Sequence, residues 1–113
     1  MKTSDKQWLF LQDVAKLIIY AESINIKLTG GELFRSIEQQ AIYFNSIPPK
    51  TKTMKSKHLE RLAIDFNFFI DDRLTWQLED VRALGIYWES LSDKNEAGMF
   101  WKWKDLPHFQ RNN

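Results

Sequence analysis

Apolar residues near the start of the chain recur at helical spacing. Leu11, Val14, Ile18 and Ala21 fall three and four residues apart, and Ser4 with Gln7 has the capping-box spacing that satisfies free amides at a helix start. The pattern predicts an amphipathic helix from about Asp5 to Ser23. Asn25 to Thr29 then alternates polar and apolar as a short strand does, and Gly30-Gly31 marks a bend or bulge. Ser36 and Gln39 form a second capping pair, opening a short helix through about Asn45 that Pro48-Pro49 ends.

The alternation from Leu62 to Ile70 is the most informative stretch. Leu62, Ile64, Phe66, Phe68 and Ile70 share one face of a strand and read as core, while Ala63, Asp65, Asn67 and Phe69 share the other. Asp71-Asp72-Arg73 supplies a turn. A third helix follows from about Trp76 to Leu91, with Leu78, Val81, Leu84 and Trp88 near one stripe. The tail from Gly98 to Gln110 is aromatic-rich and reads as one or two short strands, with Trp101 and Trp103 on one face of a strand. They serve there either as packing under the sheet or as a platform for sugar or peptide. The fold class expected is α+β, a small antiparallel sheet flanked by helices.

Composition narrows the chemistry. At 113 residues the chain has room for one domain spanning 1–113 and no second module. A hydrophobic fraction of 43% belongs to a folding chain, and a net charge of +1 makes no electrostatic case for a nucleic-acid partner. With no cysteine, thiolate zinc sites, disulfides and cysteine nucleophiles are excluded, so any metal must be held by His, Asp or Glu. The apolar stretch Trp8 to Leu11 is too short for a signal core or a membrane span, so synthesis in the cytoplasm is expected, without stable membrane association. Lys50, Lys52, Lys55 and Lys57 form either a solvated loop or the rim of a cleft that attracts an anionic substrate.

A carboxylate inside the apolar strand, Asp65, is costly unless paired, hydrogen-bonded or bound to a metal. By itself it could equally cap a loop or pair with a nearby cation. The two histidines, His58 and His108, each lie beside a segment expected to line the sheet. Two His and one carboxylate, with a fourth position left for water, is the usual make-up of a catalytic zinc site.

The segment Ser56-Lys57-His58-Leu59-Glu60-Arg61-Leu62-Ala63-Ile64-Asp65 resembles the SxHxxGxAxD motif of the zinc D-alanyl-D-alanine carboxypeptidases, a group that includes VanY-like enzymes and the phage L-alanyl-D-glutamate endolysins. Trp101-Lys102-Trp103-Lys104-Asp105-Leu106-Pro107-His108-Phe109-Gln110 resembles their WxSFxDxPHFQ segment, and Gly31 to Gln40 resembles their G-x-x-x-R-T-x-E-Q-Q stretch. The resemblance implies one Zn2+ per chain on His58, Asp65 and His108, with Asp105 as general base and Arg35 clamping the developing oxyanion. Outside the motif, Arg35 would read as a surface ion pair with Glu32 or Glu38. Ser56, Gln40 and Trp101 are expected to touch substrate.

The resemblance further implies a hedgehog/DD-peptidase-like fold. The expected activity is that of a monomeric peptidase acting on peptidoglycan stem peptides, as a phage or prophage endolysin or as a carboxypeptidase, and reaching the cell wall after release. It would carry no separate wall-binding module. A catalytically inactive module of the same fold that binds zinc or wall peptide is the alternative. Two positions depart from the pattern: Arg61 stands at the motif glycine, and Phe34 replaces the tyrosine before the arginine.

Overall fold

The first helix is set by a stripe of large apolar residues and by its two ends. In the computed structural model, which describes residues 1–31, 33, 36–46 and 56–113, α1 spans Thr3–Ser23 and buries Phe10, Val14, Leu17 and Ala21. Val14 and Ala21 are buried as expected, whereas Phe10 and Leu17 take the places expected for Leu11 and Ile18, which are exposed. Both sets satisfy helical spacing, so packing decides between them. Phe10 meets Trp88 edge-on at 5.7 Å, and Tyr20 stacks on Tyr87 at 4.2 Å.

The start also differs from expectation. The Asp5 carboxylate accepts from the Lys2 backbone N–H at 3.3 Å, and the Gln7 side chain donates instead to the Glu60 carbonyl at 3.0 Å. At the other end Asn25 takes the left-handed conformation at φ 62°, and Ile26 N–H returns to Ala21 O at 2.9 Å. This is a Schellman stop with asparagine in the glycine position.

The chain then enters β1 (Lys27–Gly30), which pairs antiparallel with β2 (Ala63–Ile70). Helix α2 (Ile37–Asn45) lies between them in sequence, and its expected cap forms: Ser36 Oγ accepts from Gln39 N–H at 3.0 Å. A 3₁₀ turn at Lys57–Glu60 leads into β2. Leu62, Phe66 and Phe68 are buried as expected, with Ile64 and Ile70 packed against the same core.

A strand not anticipated, β3 (Arg73–Thr75), folds straight back on β2. Asp71 and Asp72 both have positive φ, 51° and 62°, as a two-residue type I′ hairpin requires. Helix α3 (Leu78–Leu91) buries Val81, Leu84 and Trp88.

β4 (Asn95–Ala97), also not anticipated, precedes the tail, which forms a 3₁₀ turn at Gly98–Phe100 and one strand, β5 (His108–Arg111). Strand order is β1-β2-β5-β4, with β3 beside β2, all pairs antiparallel. Trp101 and Trp103 lie in the connection between the 3₁₀ turn and β5, not on a strand as expected. Trp101 N–H and Asp105 N–H both bond to Gly98 O, at 3.2 and 3.0 Å, which folds that segment back on itself.

The architecture is α+β, an antiparallel sheet flanked by helices. Phe66, Phe68 and Phe109 turn one face of the sheet to the core shared with α1 and α3, and successive residues of β2 and β5 point to the opposite face. No helix among the described residues is long and apolar enough to cross a membrane.

Candidate metal centre

Register alone brings two of the candidate ligands together. Asp65 and His108 are direct cross-strand partners on β2 and β5, so their side chains leave the sheet side by side, on the face away from Phe66 and Phe109. His58 arrives from the preceding 3₁₀ turn. Ser56 Oγ accepts from His58 N–H at 3.2 Å to cap that turn. Arg61 ends it in the left-handed conformation at φ 58°, ψ 35°. This is the position of the motif glycine, and the backbone there shows why glycine suits it. On the other edge of β2, Gly31 N–H bonds to Asp65 O at 2.8 Å. A Cβ at Gly31 would lie 2.7 Å from that oxygen, so only glycine fits beside the Asp65 backbone.

The three side chains converge. His58 Nε2 lies 3.3 Å from Asp65 Oδ1, and His108 Nδ1 lies 3.4 Å from the same oxygen. One ligand atom from each residue can be chosen so that all lie within 4.8 Å of one another. His58 and His108 are buried, and the Asp65 side chain is one-quarter exposed, leaving one open side.

The far nitrogen of each ring is already engaged. His58 Nδ1 faces the Leu33 carbonyl at 3.1 Å and His108 Nε2 faces Gln110 Oε1 at 2.8 Å. Both partners are acceptors, so each of these nitrogens carries the ring proton, and the inward nitrogens carry lone pairs. Two lone pairs and a carboxylate oxygen therefore point at one small space. His58 Nε2 and Asp65 Oδ1 are buried without a hydrogen-bond partner. Lone pairs facing one another and an ionised carboxylate repel; a cation resolves the conflict. A nitrogen, nitrogen, oxygen donor set with an open side fits zinc.

Titration points the same way. Burial opposes ionisation of Asp65, but the facing rings of His108 and His58, 3.4 and 3.3 Å from Oδ1, outweigh it when they carry a proton and hold the carboxyl well below the usual carboxylate range. Burial also works against the charged form of His108, yet bonding to the Asp65 carboxylate and Gln110, with Asp105 nearby, raises it above its ordinary value. Without metal, a proton takes the cation's place.

Asp105 Oδ2 lies 3.8 Å from His108 Nδ1, half-exposed at the edge of the cluster. The Trp101 ring lies 5.1 Å from the His108 ring, and its Nε1 donates to Glu96 Oε1 at 3.1 Å. Gln40 is fully buried in α2. Arg35 lies outside the described residues, as do Lys50, Lys52 and Lys55. Two participants escaped the sequence. The Leu33 carbonyl left no signal in it, whereas Gln110 could have been found two residues from His108 on the same strand face.

No protein-family model matches the chain, and no curated protein matches it. Among solved structures it is similar to the Serratia marcescens L-Ala D-Glu endopeptidase ChiX, with a TM-score of 0.70 at 20% identity. The match covers 99% of this chain and 87% of that one. The two share a fold.

Proposed function

We propose that this chain is a zinc-dependent peptidase that hydrolyses peptidoglycan stem peptides, with the bond between L-alanine and D-glutamate as its substrate. The observation that carries the metal is the convergence of His58 Nε2, His108 Nδ1 and Asp65 Oδ1, with both outer ring nitrogens committed elsewhere. Support for the substrate comes from the fold shared with an L-Ala D-Glu endopeptidase and from the motifs that resemble that branch.

When bound, zinc lowers the pKa of water towards neutrality and polarises the scissile carbonyl. Asp105, beside the cluster on the His108 side, accepts the proton of the attacking water at its carboxylate and returns it to the leaving amine. Its half-exposed position lets it reach substrate without being a ligand itself. Arg35 is assigned to the developing oxyanion on the strength of its motif position. The role extends to a phage or prophage lysin that meets the wall after release from the cytoplasm.

Purified protein should bind one zinc per chain by metal analysis and release dipeptide from purified sacculi, and a chelator should abolish that release. Stoichiometric zinc with no cleavage of any stem peptide would instead indicate a binding module. Failure to bind zinc at all would overturn the proposal. Release of terminal D-alanine in place of an internal cut would reassign the bond to a carboxypeptidase.

A further inference from the structure

Behind His108 runs a chain of side chains that the proposed chemistry does not use. His108, Gln110 and Asn112 follow one another at period two along β5 and its extension, and Glu96 of β4 sits directly opposite Gln110 in the ladder. Gln110 Oε1 faces His108 Nε2 at 2.8 Å, and Gln110 Nε2 donates to Asn112 Oδ1 at 2.7 Å. Asn112 Nδ2 in turn donates to Glu96 Oε2. The other Glu96 oxygen accepts from Trp101 Nε1 at 3.1 Å, and the Trp101 ring packs against His108 at 5.1 Å. The circuit therefore returns to the histidine it left.

Among the described residues, one group sets the direction of this relay. Each amide can present either its oxygen or its NH2, and a neutral imidazole can carry its proton on either nitrogen, so none of them sets the direction alone. An ionised carboxylate only accepts. Glu96 therefore obliges Asn112 to present its NH2, which turns Asn112 Oδ1 towards Gln110. Gln110 must then offer its own NH2 to Asn112 and its oxygen to His108. The ring proton is thereby drawn to Nε2, and Nδ1 is left as the lone pair that faces Asp65. Without this constraint the proton is drawn the other way, because Nδ1–H could bond to the Asp65 carboxylate 3.4 Å away and block the site.

We propose that Glu96 is a positioning residue that dictates the tautomer of His108 across two intervening amides, keeping Nδ1 free for the metal; this rests on the metal-centre reading above. Outer-shell partners of this kind change metal affinity by about 10- to 100-fold. Asn112 and Gln110 transmit the constraint, and Trp101 holds the second carboxylate oxygen in place.

Two measurements on the full chain test it. In metal-free protein with the ring neutral, two-bond 1H–15N correlations should show His108 as the Nε2–H tautomer. Glu96→Gln introduces a group that can donate, so the ring should shift towards Nδ1–H, and zinc affinity by chelator competition should fall by about tenfold. Glu96→Asp keeps an acceptor-only end and should restore the Nε2–H tautomer. If Glu96→Gln lowers the melting temperature, Asn112→Ala, near the partly exposed end of β5, cuts the relay instead and should give the same tautomer change. An unchanged tautomer in both variants overturns the proposal, and so does a loss of affinity without any tautomer change, which would indicate a merely structural role. If the wild-type chain binds no zinc, the metal reading fails separately, and the metal-free tautomer comparison still decides the relay.

Discussion

Gly98 offers a steric test of how the proposed base is held. Its φ is not positive, so glycine is required there for space and not for backbone freedom. A Cβ at this position would overlap the Asp105 carbonyl oxygen and lie 3.0 Å from His108 Cβ and 3.1 Å from Asp105 Cβ. Ordinary carbon contacts are about 3.5–4.0 Å, so Gly98→Ala demands an outward movement of roughly 0.5–1 Å. None of these atoms is the end of a flexible side chain, and the movement must also stretch the 3.0 Å bond from Asp105 N–H to Gly98 O. Overpacking of this kind costs about 1–3 kcal/mol, and a misplacement near 1 Å costs about a hundredfold in rate.

We therefore expect Gly98→Ala to lower kcat for dipeptide release by about a hundredfold, with a melting temperature reduced by several degrees. Gly30→Ala is the matched control, because a Cβ there meets nothing within 4 Å. A Gly98→Ala protein with wild-type kcat and melting temperature would refute the steric reasoning, as would an equal loss of activity in Gly30→Ala.

Asp105→Ala should keep zinc, because Asp105 is not among the three converging ligands, and should lose about 10²–10⁴-fold in kcat; full activity would remove Asp105 from the role of base. For Arg35→Ala a defect mainly in kcat is expected, and an effect confined to KM would contradict the oxyanion assignment. Chelator-treated protein should lose stability as pH rises above the ordinary histidine value of about 6.5, because His108 is raised in the folded state and its contribution fades through its folded pKa. Asp65, lowered on folding, contributes in full only above the ordinary carboxylate value and loses that contribution as the pH falls from there, so between pH 5.5 and pH 8 only His108 titrates and thermal melts of metal-free protein should be higher near pH 5.5 than near pH 8. Phe68→Ala, fully buried beneath Phe109, should cost about 3–5 kcal/mol by denaturant unfolding; a loss under about 1 kcal/mol would contradict its place in the core.

Much of this arrangement could be read in advance, for reasons that differ by residue. Asp65 stood out because a carboxylate in an apolar strand needs a partner, and the alternation that exposed it also set the face opposite Phe66 and Phe68. The α3 stripe was legible because Val81, Leu84 and Trp88 have few competing arrangements on one helix. Half of the α1 stripe, Val14 and Ala21, was legible; the other half was not, because Phe10 and Leu11 both satisfy helical spacing and contact with Trp88 selects Phe10. Strand β3 escaped because Asp71-Asp72 lacks the glycine that usually announces a type I′ turn. Glu96 and Asn112 escaped because their meeting depends on the pairing of β4 with β5, a tertiary fact that leaves no local trace.

The facing positions of Asp65 and His108 carry one more consequence. Side chains alternate along a strand, so a slip of one residue between β2 and β5 would present Ile64 or Phe66 to His108 and send the carboxylate towards Phe109. A cation gripped by both strands is thus a crosslink available only to the correctly aligned pair, and it opposes slippage with its full binding energy. Metal retention during refolding would then act as a vernier, reporting strand alignment to a single residue.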